Sequence, residues 1–142
     1  MEIWELIARE SIRDTIARYN ANGDAGRIDE MVALFAPDAS MEVGGKWYQG
    51  RDGIRSIFTG AAGDFSKVPG FTHLRHSTTT LQIDVLSETA ARSRCYFFVM
   101  MDHGLDHWGR YLDEFGVVGG KWLFTKRRAL MDKHTRPEGN FG

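Results

Sequence analysis

Near the start of the chain, apolar residues recur at helical spacing. Trp4, Ala8, Ile12, Ile16 and Tyr19 form one stripe, with Arg9, Arg13, Asp14 and Arg18 off it. This pattern predicts an amphipathic helix over residues 2–20. Asn22-Gly23 supplies its stop, since both residue types tolerate a left-handed cap. A second helix is expected over 27–35, carried by Ile28, Met31, Val32, Leu34 and Phe35 and ended by Pro37. Residues 40–49 read as a short hairpin, Met41 and Val43 turning through Gly44-Gly45 into Trp47 and Tyr48. Gly50-Arg51-Asp52-Gly53 opens a third helix bearing Ile54, Ile57 and Phe58. The Gly/Ala/Asp/Ser-rich stretch 60–70, closed by Pro69-Gly70, reads as a mobile loop.

Beyond residue 71 the pattern changes to long strands over 72–86, 89–102, 107–118 and 121–132. The breaks fall at Ser87-Glu88, His103-Gly104 and Gly119-Gly120, which predicts an antiparallel meander. Helices first and strands afterwards is the order of an α+β domain with helices on one face of a sheet. The 142 residues are expected to form one domain, with a core to about residue 132 and a tail over 133–142.

Composition narrows the class. With 42% hydrophobic and 26% charged residues the chain suits a globular protein rather than a disordered one. A net charge of −1 provides no basic footprint for nucleic acid. Four Trp, nine Phe, four Tyr and six Met suggest an aromatic interior that could enclose a cavity. Cys95, the one cysteine, excludes an internal disulfide and sits in an apolar run where a buried, inert thiol is expected. No stretch approaches the roughly 18 apolar residues of a membrane span. The start, Met1-Glu2-Ile3-Trp4-Glu5, lacks the features of a signal peptide, so a cytoplasmic location is expected.

Four side chains carry candidate chemistry. Tyr19 and Asp24 lie just past the first amphipathic helix, His76 enters a strand, and Arg127 lies on the last strand. A phenol, a carboxylate, an imidazole and a guanidinium in one pocket could remove a proton and stabilise the resulting anion. Each also has a plain structural reading. Asp24 could cap the second helix, His76 could be a satisfied strand histidine, and Tyr19 could be core packing. Arg127 shares parity with Leu123, Thr125, Ala129 and Met131 and needs a partner, whether Asp24, Asp102 or a substrate anion, or a structural ion pair. His76 has the opposite strand parity to Leu81, Ile83 and Val85, so a bulge shifts the register or the histidine lines a polar part of a concave face.

No dedicated metal or cofactor is expected. His73 and His76 are three apart in a strand and point to opposite faces. The run Asp102-His103-Gly104-Leu105-Asp106-His107 could form only an adventitious site on a hairpin. No zinc motif, phosphate loop, nucleotide fingerprint or nucleophile elbow is present.

Two stretches are more specific. The segment from Tyr19 through Asp24 and Phe35 to Pro37-Asp38-Ala39 resembles the helix-turn-helix opening of SnoaL-like proteins, in the nuclear transport factor 2-like superfamily. Gly109-Arg110-Tyr111-Leu112-Asp113-Glu114-Phe115, with Gly120-Lys121-Trp122 and Lys126-Arg127-Arg128, resembles that family's closing hairpin, and Arg75-His76-Ser77 its histidine strand. The resemblance spans about residues 5–132. It implies a cone-shaped fold, a curved antiparallel sheet packed on N-terminal helices around an apolar pocket.

Such folds serve scytalone dehydratase, bile-acid 7α-dehydratase, hexachlorocyclohexane dehydrochlorinase, ketosteroid isomerase, polyketide cyclases and non-catalytic binders, so the fold leaves function open. The dehydratase branch implies that Asp24 orients His76 as a base, that Tyr19 and Arg127 assist, and that Asp102 matches a further site aspartate. The frequent Gly-Asp pair after the turn is here Gly26-Arg27. The expected reaction is therefore a cofactor-independent elimination on a small apolar ring system, steroid-, polyketide- or aromatic-like. An isomerase or cyclase, and a binding or accessory protein, are the alternatives. Trp47, Phe58, Phe98, Met100 and Trp122 are expected to line the substrate. The family also implies a homodimer or homotrimer.

Overall fold

A computed structural model of the chain describes residues 1–60 and 73–136. Its elements run α1 (Ile3–Asp24), α2 (Ile28–Val32), β1 (Phe35–Val43), β2 (Lys46–Gln49), α3 (Gly50–Thr59), β3 (Leu74–Val85), β4 (Ala90–Met101), β5 (Gly104–Val118) and β6 (Lys121–His134). The helices precede the long strands, as an α+β domain requires. The strands form one six-stranded sheet in the order β2-β1-β6-β5-β4-β3. Strands β3 to β6 make the expected antiparallel meander. The sheet is nonetheless mixed, because β1 pairs with β6 in parallel.

Helix α1 buries Ala8, Ile12, Thr15, Ile16, Tyr19 and Asn20, whereas Trp4, at the head of the expected stripe, is exposed. The helix is fastened to the sheet at two points along its length. Arg9 donates to the Ile83 carbonyl at 2.7 Å, and the Thr15 hydroxyl donates to the Trp122 carbonyl at 2.9 Å. The second helix is shorter than its apolar pattern predicts. It stops at Val32, and Phe35 opens a strand instead. Pairing with β6 decides this: the Phe124 amide donates to the Leu34 carbonyl at 2.9 Å, and the Phe35 and Phe124 rings meet at 5.0 Å. Pro37 consequently lies inside β1, exposed, within the register irregularity between Phe35 and Ser40, where a missing N–H does no harm.

The hairpin expected over 40–49 is present, and Gly44 and Gly45 both take positive φ, as a two-residue turn of that twist demands. Strand β5 starts at Gly104 rather than 107, since Gly104 and Leu105 already pair with Met101 and Met100. Of the loop expected over 60–70, only Gly60 lies among the described residues.

The main core joins Ile12, Ile16, Tyr19, Met31, Phe35, Met41, Ile54, Phe115 and Phe124. A smaller cluster of Cys95, Phe97, Val99, Met101 and Tyr111 extends toward the β3 side. Burial pushes the Cys95 thiol up to about 11, consistent with an inert core cysteine. Among the described residues no helix is long and apolar enough to cross a membrane.

Candidate active site

Asp24 is the last residue of α1, and His76 is the third of β3. Asp24 Oδ1 lies 2.6 Å from His76 Nδ1, and Asp24 Oδ2 accepts the His76 backbone N–H at 2.8 Å. Both carboxylate oxygens thus grip one residue, fixing its ring and its backbone together. Asp24 does not cap α2, whose N-cap position is Arg27. An ionised carboxylate accepts only, so the Nδ1 proton points at it and Nε2 carries the lone pair of the neutral ring. Side-chain exposures of 20% for His76 and 10% for Asp24 leave the pair shielded yet reachable.

The parity conflict resolves as a bulge. Between the pairs Thr79↔Tyr96 and Gln82↔Arg94, β3 carries one residue more than β4, and Thr80 there has φ 54°. His76 and Ile83 can therefore face the same interior although their numbers differ in parity. Opposite His76 on β4 is the fully buried Val99, and the Phe97 ring lies 6.3 Å from the imidazole.

Arg127 is fully buried and pairs with Asp113, its direct register partner on β5, at 2.8 and 3.2 Å. Of the alternatives open for Arg127 the structural ion pair is the one present, and neither Asp24 nor Asp102 is its partner. The guanidinium carbon sits 3.6 Å from the Tyr111 ring centroid, 4.2 Å from Tyr19 and 4.6 Å from Phe124, so aromatic faces replace water around the charge. Burial alone would lower the Arg127 pKa, and Asp113 reverses that and holds it above the ordinary value. Burial conversely raises Asp113, against the pull of Arg127. The Tyr19 ring packs edge-on to Phe35, Phe58, Tyr111 and Phe124, and its hydroxyl meets Met41 Sδ at 4.0 Å. Burial pushes its phenol up to about 12, so it stays protonated at neutral pH.

Arg127 and His76 are linked through rings rather than by contact. Tyr111, beneath the guanidinium, stacks on Phe97 at 4.4 Å, and Phe97 flanks His76. Asp102 lies at the β4–β5 turn, accepting the His73 amide at 2.9 Å.

The expected lining residues divide. Phe58 and Trp122 pack against the main core. Phe98 and Met100 project from the opposite face of β4 to Val99, away from His76. With Tyr96, Leu105, Trp108 and Asp132 they border an open groove of about 650 Å³. Alternation along β4 sets this face, since Phe97 and Val99 take the interior. Trp47 is exposed on β2 beneath the Lys126 ammonium, 5.2 Å from its ring centroid.

Three residues of this region were given no place in the site by the sequence. Asp113 had a legible signal, because Tyr111, Asp113 and Phe115 alternate as the buried face of β5. Asp106 and His107 were read only as part of an adventitious cluster on the hairpin. They are consecutive and both buried, joined Oδ2 to Nδ1 at 2.7 Å.

The chain is similar in structure to a candidate scytalone dehydratase from Novosphingobium aromaticivorans. That match has 22% identity, covers 100% of both chains and has a TM-score of 0.78. It is similar to the hexachlorocyclohexane dehydrochlorinase LinA-type3 from Novosphingobium barchaimii, at 18% identity over 100% of this chain and 98% of that one, TM-score 0.79. A protein of unknown function from Mycobacterium tuberculosis matches at 24% identity over 91% of this chain and 74% of that one, TM-score 0.76. These likenesses define the class: helices on a curved mixed sheet, the cystatin-like, nuclear transport factor 2-like fold. Residues 4–128 match the SnoaL-like domain, and the chain belongs to that family. No curated protein matches it by sequence.

Proposed function

We propose that the protein is a cofactor-independent lyase of the dehydratase or dehydrohalogenase type, acting on a small apolar cyclic compound. The observation that carries this reading is the double grip of Asp24 on His76 beside an aromatic wall. His76 Nε2 takes a proton from carbon next to the leaving group. Asp24 keeps the ring in the tautomer that can accept it and stabilises the imidazolium that forms. A binding protein gains nothing from a base held at two points. Arg127 and Tyr19 act in this reading from behind the wall. The guanidinium, clamped by Asp113, fixes the Tyr111 and Phe97 rings that wall the base rather than touching the substrate, and the Tyr19 ring packs on the same guanidinium. The dehydratase and dehydrochlorinase among the structural neighbours agree with an elimination.

The test is a product screen. Ring compounds bearing a hydroxyl or halide next to an acidic C–H are incubated with wild type and H76Q, and alkene, water and halide release are followed. Elimination that H76Q abolishes supports the lyase. Double-bond migration with nothing released assigns the isomerase alternative, and saturable binding without turnover assigns a carrier.

A further inference from the structure

A second aspartate–histidine pair faces the first. In β5 the pairs Met100↔Leu105 and Val99↔His107 leave Asp106 as an inserted residue, and this bulge turns two consecutive side chains inward. Asp106 is 0% exposed and His107 4%. Asp106 is also approached by His103 Nε2 at 3.1 Å and Arg136 Nη2 at 2.9 Å. Across the sheet His76, Val99 and His107 lie in one register row. The His107 ring centroid is 6.3 Å from that of His76 at 83°, and Phe97 is 6.3 Å from one and 6.2 Å from the other. Two imidazoles, each aligned through Nδ1 by its own carboxylate, thus stand edge to face from two different strands.

Removing a proton from carbon needs only one of them. A halide then departs unaided, because its conjugate acid is strong, whereas a hydroxyl departs readily only as water. We propose that His107, aligned by Asp106, is the proton donor to a leaving hydroxyl, so that the substrate class is hydroxylated ring compounds. This rests on the lyase reading above. His76 Nε2 takes the proton from carbon, and the C–H electron pair becomes the new carbon–carbon double bond. The C–O bond breaks with its pair on oxygen, His107 Nε2 gives that oxygen its proton, and water leaves. His76 then loses its proton to solvent and His107 regains one, closing the cycle.

The groups around His107 set its pH behaviour. Burial lowers its pKa from 6.5, Asp106 opposes this, and His76 on β3 and Arg136 beyond β6 lower it further. His103 contacts the same carboxylate, and His134 is the register partner on β6. The donor form is thus depleted as pH rises through a folded pKa below 6.5, so hydroxyl elimination declines on the alkaline side of that point while halide elimination does not.

The experiment uses cyclic ketones of one to four fused rings, made as matched pairs with hydroxyl or chloride β to the carbonyl, so that both members yield the same enone. H107Q is expected to lower kcat on the hydroxyl members by about 100-fold and to leave the chlorides within about threefold, while D24N lowers both. Equal loss on both members with H107Q, or none on the hydroxyl members, overturns the proposal. So does wild-type elimination of chlorides alone, which leaves the lyase reading standing. Elimination of neither member by wild type removes that reading and the proposal together. Should H107Q not fold, the wild-type pH profiles decide: an alkaline decline for hydroxyl members and none for chlorides supports the donor, and identical profiles overturn it.

Discussion

Asp24→Asn is the sharpest perturbation of the proposed base. The substitution keeps the shape of the side chain and removes the charge. Asp24 Oδ1 lies 2.6 Å from Nδ1, which puts the carboxylate and imidazolium charge centres about 4 Å apart. At an effective dielectric of about 20, suited to a shielded but not dry site, that pair is worth about 4 kcal/mol. The attraction is absent in the resting neutral ring and present once the proton has arrived, so it acts in the transition state. At about 1.4 kcal/mol per decade, the expected loss in kcat is about 10²–10³-fold, with KM changed less than about threefold. The assay is enone formation by absorbance on whichever ring ketone turns over, with thermal melting as a control. The amide still offers one acceptor to the His76 backbone N–H or ring, so the loss of stability should stay within about 1–3 kcal/mol. A folded variant with wild-type kcat would refute the reasoning, because the carboxylate would then be holding β3 to α1 and doing nothing for the chemistry.

Other consequences follow from the buried charges and the outer face. R127M leaves Asp113 buried with its ionic partner gone and should cost about 3–5 kcal/mol in urea unfolding, with R127M/D113L recovering part of it; equal stability of single mutant and wild type would contradict the buried pair. Burial holds the folded pKa of His107 below its ordinary 6.5. The unfolded chain therefore binds more protons, and this contribution to stability is complete above pH 6.5 and is lost as pH falls toward the folded pKa. H107Q should flatten that part of the urea-midpoint profile, and an unchanged slope would disprove it. Tyr96, Met100, Leu105 and Met131 are all exposed apolar side chains, at 54%, 42%, 41% and 46%. We expect that a homodimer or homotrimer covers them, that sedimentation equilibrium detects it, and that M100E shifts it to monomer.

The Asp24–His76 pairing shows what local pattern could and could not reach. Resemblance to the family brought the two residues together, but the stop expected at Asn22-Gly23 is not there: α1 runs through both residues and ends at Asp24, and the left-handed glycine is Gly26. The face on which His76 lies depended on a bulge around Thr80, which period-two alternation cannot contain. The same limit hid Asp106 and His107, whose adjacency in sequence argues for opposite faces until the insertion in β5 turns both inward. Phe98 and Met100 lie on the face away from His76 for the converse reason. Regular alternation held there, and it placed them outside.

The order of helices and strands, the Gly44-Gly45 turn and the alternating interior of the long strands belong to the sequence, because dihedral preference and hydrophobic period act over a few neighbours. Tertiary structure decided what each charge meets. It cut the second helix at Val32 by recruiting Phe35 to pair with β6, and it set Asp113 across from Arg127. By two single-residue bulges it brought two aspartate–histidine pairs side by side. Register is a long-range quantity: one inserted residue moves every later side chain to the other face, and only the partner strand determines where that insertion is tolerated.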